Sequence, residues 1–322
     1  MLTFRIVIAS VFALAAAVPA AAQTYPTKIV RLIVPLAPGG NVDITARAIA
    51  PEIAQVLGQQ MIVENRAGAS GQIGAEFVAK SPPDGYTLLM ASSSLMSNGP
   101  AVNPNLSYDI LKDFVPVGRV SEVPLVIVVH PSLPVKTTKQ FIALAKARPG
   151  ELTMASSGVG TTSHLIAELF HISSGIKMLI VPYKGAGPAV TDLLGGHVQS
   201  RIDQITSSMQ YIQSNRLRAI AVTTARRAKQ LPDLPTIAES GIPGFDASTV
   251  TGVLAPAATP PDVVQRLNAA LIKALANPAL VERLFALGAE VRPSSSEELG
   301  KFIREDLAKW KKVVEKAGIK PE

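Results

Sequence analysis

Apolar runs alternate with helical patterns along most of the chain, and the clearest example spans residues 28–58. Residues 29–34 are almost continuously apolar, which is typical of a strand buried on both faces of a sheet. From residue 42 to residue 57 apolar side chains recur at helical spacing, which predicts a helix that Gly58 ends. Between them lies a glycine turn in which Asn41 is predicted to cap the helix. The stretch therefore predicts a buried strand, a loop and a helix N-terminus.

The same alternation continues to the end of the chain and predicts an α/β fold. The pattern predicts further strands at residues 61–64, 86–91, 114–118, 123–129, 152–155, 180–183, 197–205 and 218–223. It predicts further helices at residues 73–80, 137–147, 163–172, 189–194, 207–213, 261–274, 278–287 and 298–317.

Two of the turns combine glycines with small polar residues immediately before a helix. We call residues 37–41 the first loop and residues 156–162 the second loop. A helix N-terminus presents unpaired backbone N–H groups and the positive end of its dipole, so each loop suits a carboxylate. Ser92, at the end of the strand predicted at 86–91, could add a hydroxyl donor. Such turns also occur in α/β domains that bind nothing, and the pattern alone leaves both interpretations open.

The N-terminal segment has the features of a secretory signal peptide. Arg5 precedes an apolar run at residues 6–18, and small residues follow at 20–22, which predicts a signal spanning residues 1–22. The apolar run is shorter than the ~20 residues that a spanning helix needs. The chain contains no cysteine, which excludes a lipid-modified cysteine and any disulfide.

Composition and charge narrow the class of protein. An apolar content of 48% supports sizeable cores, and about 300 residues after the signal are enough for two domains. The net charge is +7, but the densest basic runs, at residues 225–229 and 309–312, include a single aromatic residue, Trp310. A nucleic-acid surface needs a basic stripe with stacking side chains, so we expect no nucleic-acid partner.

Six motifs in order carry a resemblance to a known family. They read PLAPGGNVDITAR, VENRAGASGQIGAEFVAKSPPDGYTLLMA, SSGVGTTSHL, VPYKGAGPAVTDLLGGHV, LRAIAVTTARR and LPDLPTIAESGIPGF. Together they resemble the periplasmic substrate-binding proteins of the tripartite tricarboxylate transporter family, known as the Bug family. The resemblance implies an α/β fold of the type II periplasmic binding protein class, a Venus flytrap of two lobes, each with a central mixed sheet flanked by helices.

The resemblance also implies how the protein is organised and what it does. Lobe 1 would comprise residues 24–122 and 224–322, lobe 2 residues 123–223, with crossings near residues 123–130 and 221–223. The expected function is a periplasmic solute-binding protein that captures a small carboxylate between the lobes for a membrane permease. It implies no cofactor, no metal and no enzymatic activity, and we expect a monomer.

Ligand contacts are carried over from the family motif by motif. In lobe 1 the resemblance implies contacts from Ala37, Pro38, Gly39, Gly40, Asn41, Asp43 and Ser92. In lobe 2 it implies contacts from Ser156, Ser157, Gly158, Thr161, Thr162, His164, Tyr183, Lys184, Gly185 and Asp203. Asp43 lies in the first helical turn, where a carboxylate also suits the helix dipole and could be structural.

The chain departs from the family pattern at several positions in or near this site. Asn41 replaces a usual glycine, Gln199 a usual aspartate, and Val250 a frequent tryptophan. Arg201 and Asp203 share one face of a predicted strand. Arg201 could therefore pair with Asp203 or reach the ligand, and the sequence does not choose between these roles.

Two other kinds of site remain as alternatives. His164, Glu168 and His171 are spaced along one helix face as metal ligands could be, but no further ligand cluster supports a metal. A secreted serine hydrolase could use Ser156 or Ser157 with His164 and Asp203. No G-x-S-x-G motif is present to position such a serine.

Overall fold

The computed structural model describes residues 25–36, 38–183 and 185–320. The predicted signal and two expected ligand contacts, Ala37 and Lys184, lie outside the described residues. The strands are β1 (Val30–Val34), β2 (Met61–Asn65), β3 (Thr87–Ser92), β4 (Phe114–Val129), β5 (Thr153–Ser156), β6 (Leu179–Pro182), β7 (Ser200–Gln204), β8 (Arg218–Val222), β9 (Ser248–Pro256) and β10 (Glu290–Val291). The helices are α1 (Asn41–Leu57), α2 (Gln72–Ala79), α3 (Gly99–Val102), α4 (Thr138–Ala147), α5 (Thr162–Ser174), α6 (Ala186–Leu194), α7 (Ile205–Gln213), α8 (Pro261–Leu275), α9 (Pro278–Ala286) and α10 (Ser296–Ala317).

The strands pair in the order β2-β1-β3-β9-β4-β7-β5-β6, and both β8 and β10 also pair with β4. The strands β1, β2 and β3 are parallel, whereas β9 is antiparallel to β3 and β4. Beyond β4, the strands β5, β6 and β7 are parallel, and β4 is antiparallel to β7 and β8. The fold is therefore the mixed α/β architecture that the sequence predicts.

Strand β4 belongs to two sheets. Its first half, as far as Pro124, pairs with β9, and its second half, from Leu125, pairs with β7 and β8. The pattern predicts two strands here, at 114–118 and 123–129, and this is wrong because the chain stays extended through the polar residues between them. The register shifts at Pro116–Gly118 and Arg119–Ser121 show that bulges absorb the irregular sequence.

Each sheet has its own hydrophobic core, and we call each sheet with its covering helices a lobe. In the first lobe, β1 and β3 are buried between α1, α8 and α9 on one face and α2 with part of α10 on the other. In the second lobe, α4 and α5 cover one face, and α6 and α7 cover the other. Burying side chains such as Leu32 and Ile127 contributes about 1.5–3 kcal/mol each. With no cysteine in the chain, these cores hold the fold.

Helix α10 contributes to both cores. Leu299, Ile303 and Leu307 pack in the first lobe, whereas Trp310 and Val313 pack in the second. Ser295 caps the helix with Glu298 in a reciprocal capping box. Within the described residues, no helix is long and apolar enough to cross a membrane.

The strand directions bring the carboxyl ends of β1 and β3 in the first sheet, and of β5 and β7 in the second, toward the middle of β4. Because β3 and β4 are both antiparallel to β9, β3 runs toward Pro124, and β1 is parallel to β3. In the second sheet, β7 runs antiparallel to β4, with Gln204 opposite Leu125, and β5 is parallel to β7. The loops that follow β1, β3 and β5 therefore all leave their sheets toward the junction between the lobes.

Candidate functional site

The first loop ends at the N-terminus of α1. Gly40 is the N-cap residue and makes no side-chain capping hydrogen bond. Asn41 is the first helical residue rather than the cap, so the predicted capping role is wrong. Its side chain is half-buried, and its Nδ2 atom has no hydrogen-bond partner among the described residues. Pro38, Gly39 and Gly40 are exposed, so the first-turn N–H groups of α1 lie beside an open loop.

Asp43 holds the first loop in place. Its buried carboxylate accepts hydrogen bonds from Gly39 N–H (2.9 Å), Arg47 Nε (3.0 Å) and Asn65 Nδ2 (2.9 Å). Burial alone raises the pKa of this carboxyl, but the bonds from Arg47, Gly39 and Asn65 outweigh it and hold the pKa below its usual value. With three protein donors on its carboxylate, Asp43 acts by shaping the loop.

The segment after β3 reaches across to the second lobe. Ser92 is buried at the end of β3 and lies opposite Thr251 of β9. A π-helical turn, Ser94–Asn98, follows and leads into α3. The buried side chain of Asn98 donates from Nδ2 to Thr162 Oγ1 (2.8 Å). This bond joins the lobes beside the second loop, and nothing in the local sequence pattern singles out Asn98 for it.

The second loop is held by hydrogen bonds within itself and to the start of α5. Ser157 N–H donates to Ser163 Oγ (3.0 Å), and Thr161 Oγ1 donates to the carbonyl of Gly158 (2.8 Å). Thr161 is also the N-cap of α5 and accepts from the N–H of His164 (3.4 Å). The loop is therefore fixed by several small contacts.

His164 takes part in the same network. Gly160 N–H donates to His164 Nδ1 (3.0 Å), so that nitrogen acts as an acceptor and carries no proton in this arrangement. Its ring is buried at the base of the loop, with Nε2 3.8 Å from Glu168 Oε1. These contacts make His164 a residue that orders the loop.

Gly158 is required by the local backbone. Its φ of +130° is a conformation that side chains rarely adopt, and a Cβ there would lie 3.2 Å from the carbonyl oxygen of Tyr183. Tyr183 and Gly185 lie beside the loop, because Tyr183 N–H donates to Ser156 O (3.0 Å) and Gly185 N–H donates to Ser157 O (3.2 Å). The structure thus brings these expected contact residues together.

The phenol of Tyr183 points to another residue of the second lobe. It donates to Asp192 Oδ2 (2.6 Å), and burial together with this carboxylate raises its pKa to about 12. The hydroxyl is therefore protonated at neutral pH and anchored within its own lobe.

Arg201 and Asp203 form a buried pair beneath the second loop. Arg201 Nη2 donates both to Asp203 Oδ1 (2.8 Å) and to Ser157 Oγ (2.8 Å). Asp203 Oδ2 accepts from Ser207 Oγ (2.7 Å) and Ser208 Oγ (2.9 Å). Of the two roles that the sequence leaves open for Arg201, pairing with Asp203 is the one observed. The contact with Ser157 was not anticipated from the sequence.

Several buried polar atoms around the two loops lack hydrogen-bond partners in the described part of the chain. They are Asn41 Nδ2, Ser156 Oγ, Arg201 Nε and Arg201 Nη1. Buried polar atoms in proteins nearly always have partners. Four of the nine buried side-chain atoms that lack a partner in the described residues therefore lie at or beneath the two loops.

Neither alternative site has the geometry that it requires. In the metal alternative, Glu168 lies 3.8 Å from both His164 and His171, and no group of three metal-ligating side chains is found among the described residues. Burial lowers the pKa of His171 to about 4 and raises that of Glu168.

For a hydrolase, the serine, histidine and carboxylate would have to bond to one another. Ser157 Oγ instead accepts from Arg201, and His164 Nδ1 accepts from Gly160. The hydrogen bonds of Asp203 come from Arg201 and two serines. The three side chains therefore do not form a catalytic triad.

The sequence matches the family model of the tripartite tricarboxylate transporter family receptor over residues 45–319. The protein BugT of Bordetella pertussis is 41% identical over 305 residues, which cover 94% of each chain.

Solved structures of similar sequence have the same fold. Rpa4515 of R. palustris, solved with adipate, is 37% identical with a TM-score of 0.79, and the match covers 92% of this chain and all of that one. The periplasmic binding protein BugD is 36% identical with a TM-score of 0.76, covering 92% and 100%. MatC from Rhodopseudomonas palustris, solved with bound malate, is 33% identical with a TM-score of 0.75, covering 90% and 100%.

Proposed function

This chain belongs to the tripartite tricarboxylate transporter receptor family, and on that premise we propose that it captures a small carboxylate between its lobes and presents it to a membrane permease. The family and its structural neighbours are solute-binding receptors, so the chain is a receptor, and the serine hydrolase hypothesis is wrong. Rpa4515 is solved with adipate and MatC with malate, and both ligands are dicarboxylates. A ligand of this class is therefore the first to test.

The observation that carries the proposal is the position of the two loops. Each loop leads into a helix N-terminus, and each leaves its sheet toward the junction of the lobes. The bond between Asn98 and Thr162 joins the lobes beside them. A ligand with two carboxylates would place one at each helix N-terminus, where N–H groups and the dipole favour negative charge.

The expected ligand residues divide by role in this proposal. The first loop, the second loop, Ser92 and residues 183–185 supply backbone N–H and hydroxyl donors to the ligand. Asp43 and His164 keep the loops in the shape that aims those donors, and Thr162 adds the link between the lobes. Asp203 lies beneath the second loop, bound to Arg201.

We assign residues 24–122 and 224–322 to lobe 1 and residues 123–223 to lobe 2. Two changes of pairing support this assignment. After Pro124, β4 stops pairing with β9 and pairs with β7 and β8. At the second crossing, the backbone N–H of Thr223 donates to the carbonyl of Leu125, and the N–H of Ala247 donates to the carbonyl of Thr223. Within the 224–322 range, Ile237 and Phe245 pack in the core of the second sheet. We therefore amend the assignment for the segment between β8 and β9, which packs with lobe 2 rather than with the rest of 224–322.

The protein acts in the periplasm in this proposal, as its relative BugD does. Residues 1–22 are the signal that is cleaved on export, and the mature chain works as a monomer. Mass spectrometry of the exported protein and size-exclusion chromatography test these two points.

The test of the proposal is a thermal-shift screen of the mature protein against succinate, malate, glutarate and adipate. We expect at least one of them to raise the unfolding temperature in a concentration-dependent way, because a ligand that binds only the folded state stabilises it. If neither these four acids nor other small carboxylates raise the unfolding temperature, the proposal is wrong.

Two variants connect the stabilisation to the loops. Thr161→Ala removes the side chain that braces the second loop, and Gly40→Ala adds a methyl group at the first, where φ is −78° and alanine fits the backbone. Both should lose the ligand-induced shift. Thr137→Ala is the matched control, because Thr137 caps α4 as Thr161 caps α5 but lies outside both loops. Retention of the full shift in both loop variants would show that the ligand binds elsewhere.

A further inference from the structure

Arg201 is a cation in the interior of the second lobe. It is the second residue of β7, opposite Val128 of β4 and Ala155 of β5, and its side chain is 1% exposed. A buried guanidinium is costly unless its charge and its N–H groups are compensated. Its contacts therefore need an explanation.

The charge is compensated by Asp203, which leaves that carboxylate with no role toward a ligand cation. Oδ1 of Asp203 accepts from Arg201, and Oδ2 accepts from Ser207 and Ser208. The residue is itself buried. Both oxygens are occupied by donors of the protein, so a ligand ammonium would have to displace Arg201 to pair with Asp203.

The N–H groups of Arg201 are only partly used. Nη2 serves Asp203 and Ser157, while Nε and Nη1 are buried without a partner in the described residues. Nε carries one N–H and Nη1 carries two. The guanidinium is therefore richer in donors than its surroundings are in acceptors, and its contact with Ser157 puts this surplus directly beneath the second loop.

We propose that Arg201 determines the ligand class of this site by making the second lobe select carboxylates that carry no ammonium group. The inference rests on the proposed function and adds the class of carboxylate to it. A carboxylate at the second loop is an acceptor for the unpaired N–H groups of the guanidinium, which an ammonium is not. An amino acid would bring its ammonium close to the same guanidinium and find the nearby carboxylate already paired.

Calorimetric titrations with length-matched ligand pairs test this inference on the mature protein. The pairs are succinate with aspartate, glutarate with glutamate, and adipate with 2-aminoadipate, whose members differ by one ammonium. We expect the wild-type protein to bind the ammonium-free member of its best pair at least 10-fold more tightly. Arg201→Met should reduce that preference at least 10-fold, because it releases Asp203 to accept an ammonium.

The double variant Arg201→Met/Asp203→Asn separates this role from a purely structural one. If Arg201→Met gains amino acid binding because Asp203 is released, the double variant loses that gain. If Arg201→Met changes binding only by distorting the lobe, the double variant keeps the same change. If Arg201→Met does not fold, Asp203→Asn decides the question, since it leaves Arg201 unpaired and should strengthen the preference for the ammonium-free ligand.

The outcomes distinguish this inference from the proposed function. If the wild-type protein binds no member of any pair, the proposed function fails. If it binds dicarboxylates but prefers the amino acid, or if folded Arg201→Met keeps the wild-type preference, the role of Arg201 is wrong while the proposed function stands. An unchanged preference in Asp203→Asn overturns the inference in the same way.

Discussion

The two loop-and-helix units of this protein show how one sequence pattern is stabilised in two ways. In the first lobe, one carboxylate, Asp43, bonds to the loop, to Arg47 and to Asn65, and the helix has no side-chain cap. In the second lobe, the hydroxyls of Thr161 and Ser163 form hydrogen bonds with backbone groups of the loop, and Thr161 also caps the helix. The first loop thus depends on a single charged residue, whereas the second depends on several hydrogen bonds, one of them from the Arg201 guanidinium to Ser157.

This difference matters for how each unit responds to mutation and to acid. A single buried carboxylate concentrates stability in one group that acid can neutralise. A network of several hydrogen bonds distributes it, so that each replacement costs less. The second unit has its own acid-sensitive group, the buried His171 in α5.

The largest expected effect is the acid response of the second unit through His171. Burial lowers its pKa from 6.5 to about 4, so the unfolded chain binds this proton at a higher pH than the folded chain does. The contribution of His171 to stability is therefore lost as the pH falls from 6.5 to 4, by about 3 kcal/mol in total. Urea unfolding at a series of pH values should show this loss, and His171→Gln should remove it.

The control is His197→Gln, which alters an exposed histidine of the same lobe and should leave the pH dependence unchanged. Burial raises the pKa of Glu168, which lies 3.8 Å from His171, so the folded state binds the Glu168 proton at a higher pH than the unfolded chain does. Protonation of Glu168 therefore adds stability as the pH falls, which opposes the effect of His171. If His171→Gln loses as much stability between pH 6.5 and pH 4 as the wild-type protein does, the prediction is wrong.

The next effect is on the first unit, through Asp43→Asn. The amide turns an NH2 group toward the N–H donors that now face the carboxylate, so we expect a loss of about 2.5 kcal/mol in the free energy of unfolding. Because the pKa of Asp43 is lowered in the folded state, its stabilisation is complete above the unfolded pKa of about 3.9 and is lost below it. Urea unfolding at neutral pH and at pH 3 measures both effects.

Glu151→Gln serves as the control for removal of a charge, since Glu151 pairs with Arg148 on the surface and both side chains are more than half exposed. It should change the free energy of unfolding by less than about 0.5 kcal/mol. If Asp43→Asn is no more costly than this control, the first loop does not depend on Asp43.

A matched pair of glycine replacements compares the loops directly. Gly158→Ala should cost about 2 kcal/mol, because φ is +130° and the new methyl meets the carbonyl of Tyr183. Gly39→Ala should cost about 1 kcal/mol, because φ is +83° but no atom of the described, non-adjacent residues lies within 4 Å of the new methyl. Thermal unfolding of the two variants gives the comparison, and an equal or reversed order would mean that the second loop relaxes more easily than its contacts suggest.

The smallest expected effects come from the two helix starts. Thr161→Ala removes the cap of α5 and should cost about 1 kcal/mol. Asn41→Ala should change stability by less than about 0.5 kcal/mol, because the Asn41 side chain does not cap α1 and its Nδ2 is unpaired. Urea unfolding checks both, and a larger cost for Asn41→Ala would give that side chain a structural role in the free protein.

Much of the fold could be predicted from local pattern. The strand β1, the helix α1 and the cap of α10 at Ser295 follow from apolar periodicity, a glycine turn and a serine followed by acidic residues. The strand β9 was missed, because its polar residues Ser248, Thr249 and Thr251 interrupt the apolar run. The division of the β4 segment into two strands failed for a similar reason, since pairing with β9 carries the chain through its polar positions.

The sequence by itself determined the α/β class, the two glycine loops and the family, because these depend on residues close together in the chain. Only the tertiary structure decided that Asn98 meets Thr162, that α10 packs in both lobes, and that Arg201 donates a hydrogen bond to Ser157. Each of these joins residues far apart in sequence, and a contact of that kind depends on strand order and register, which local periodicity does not encode.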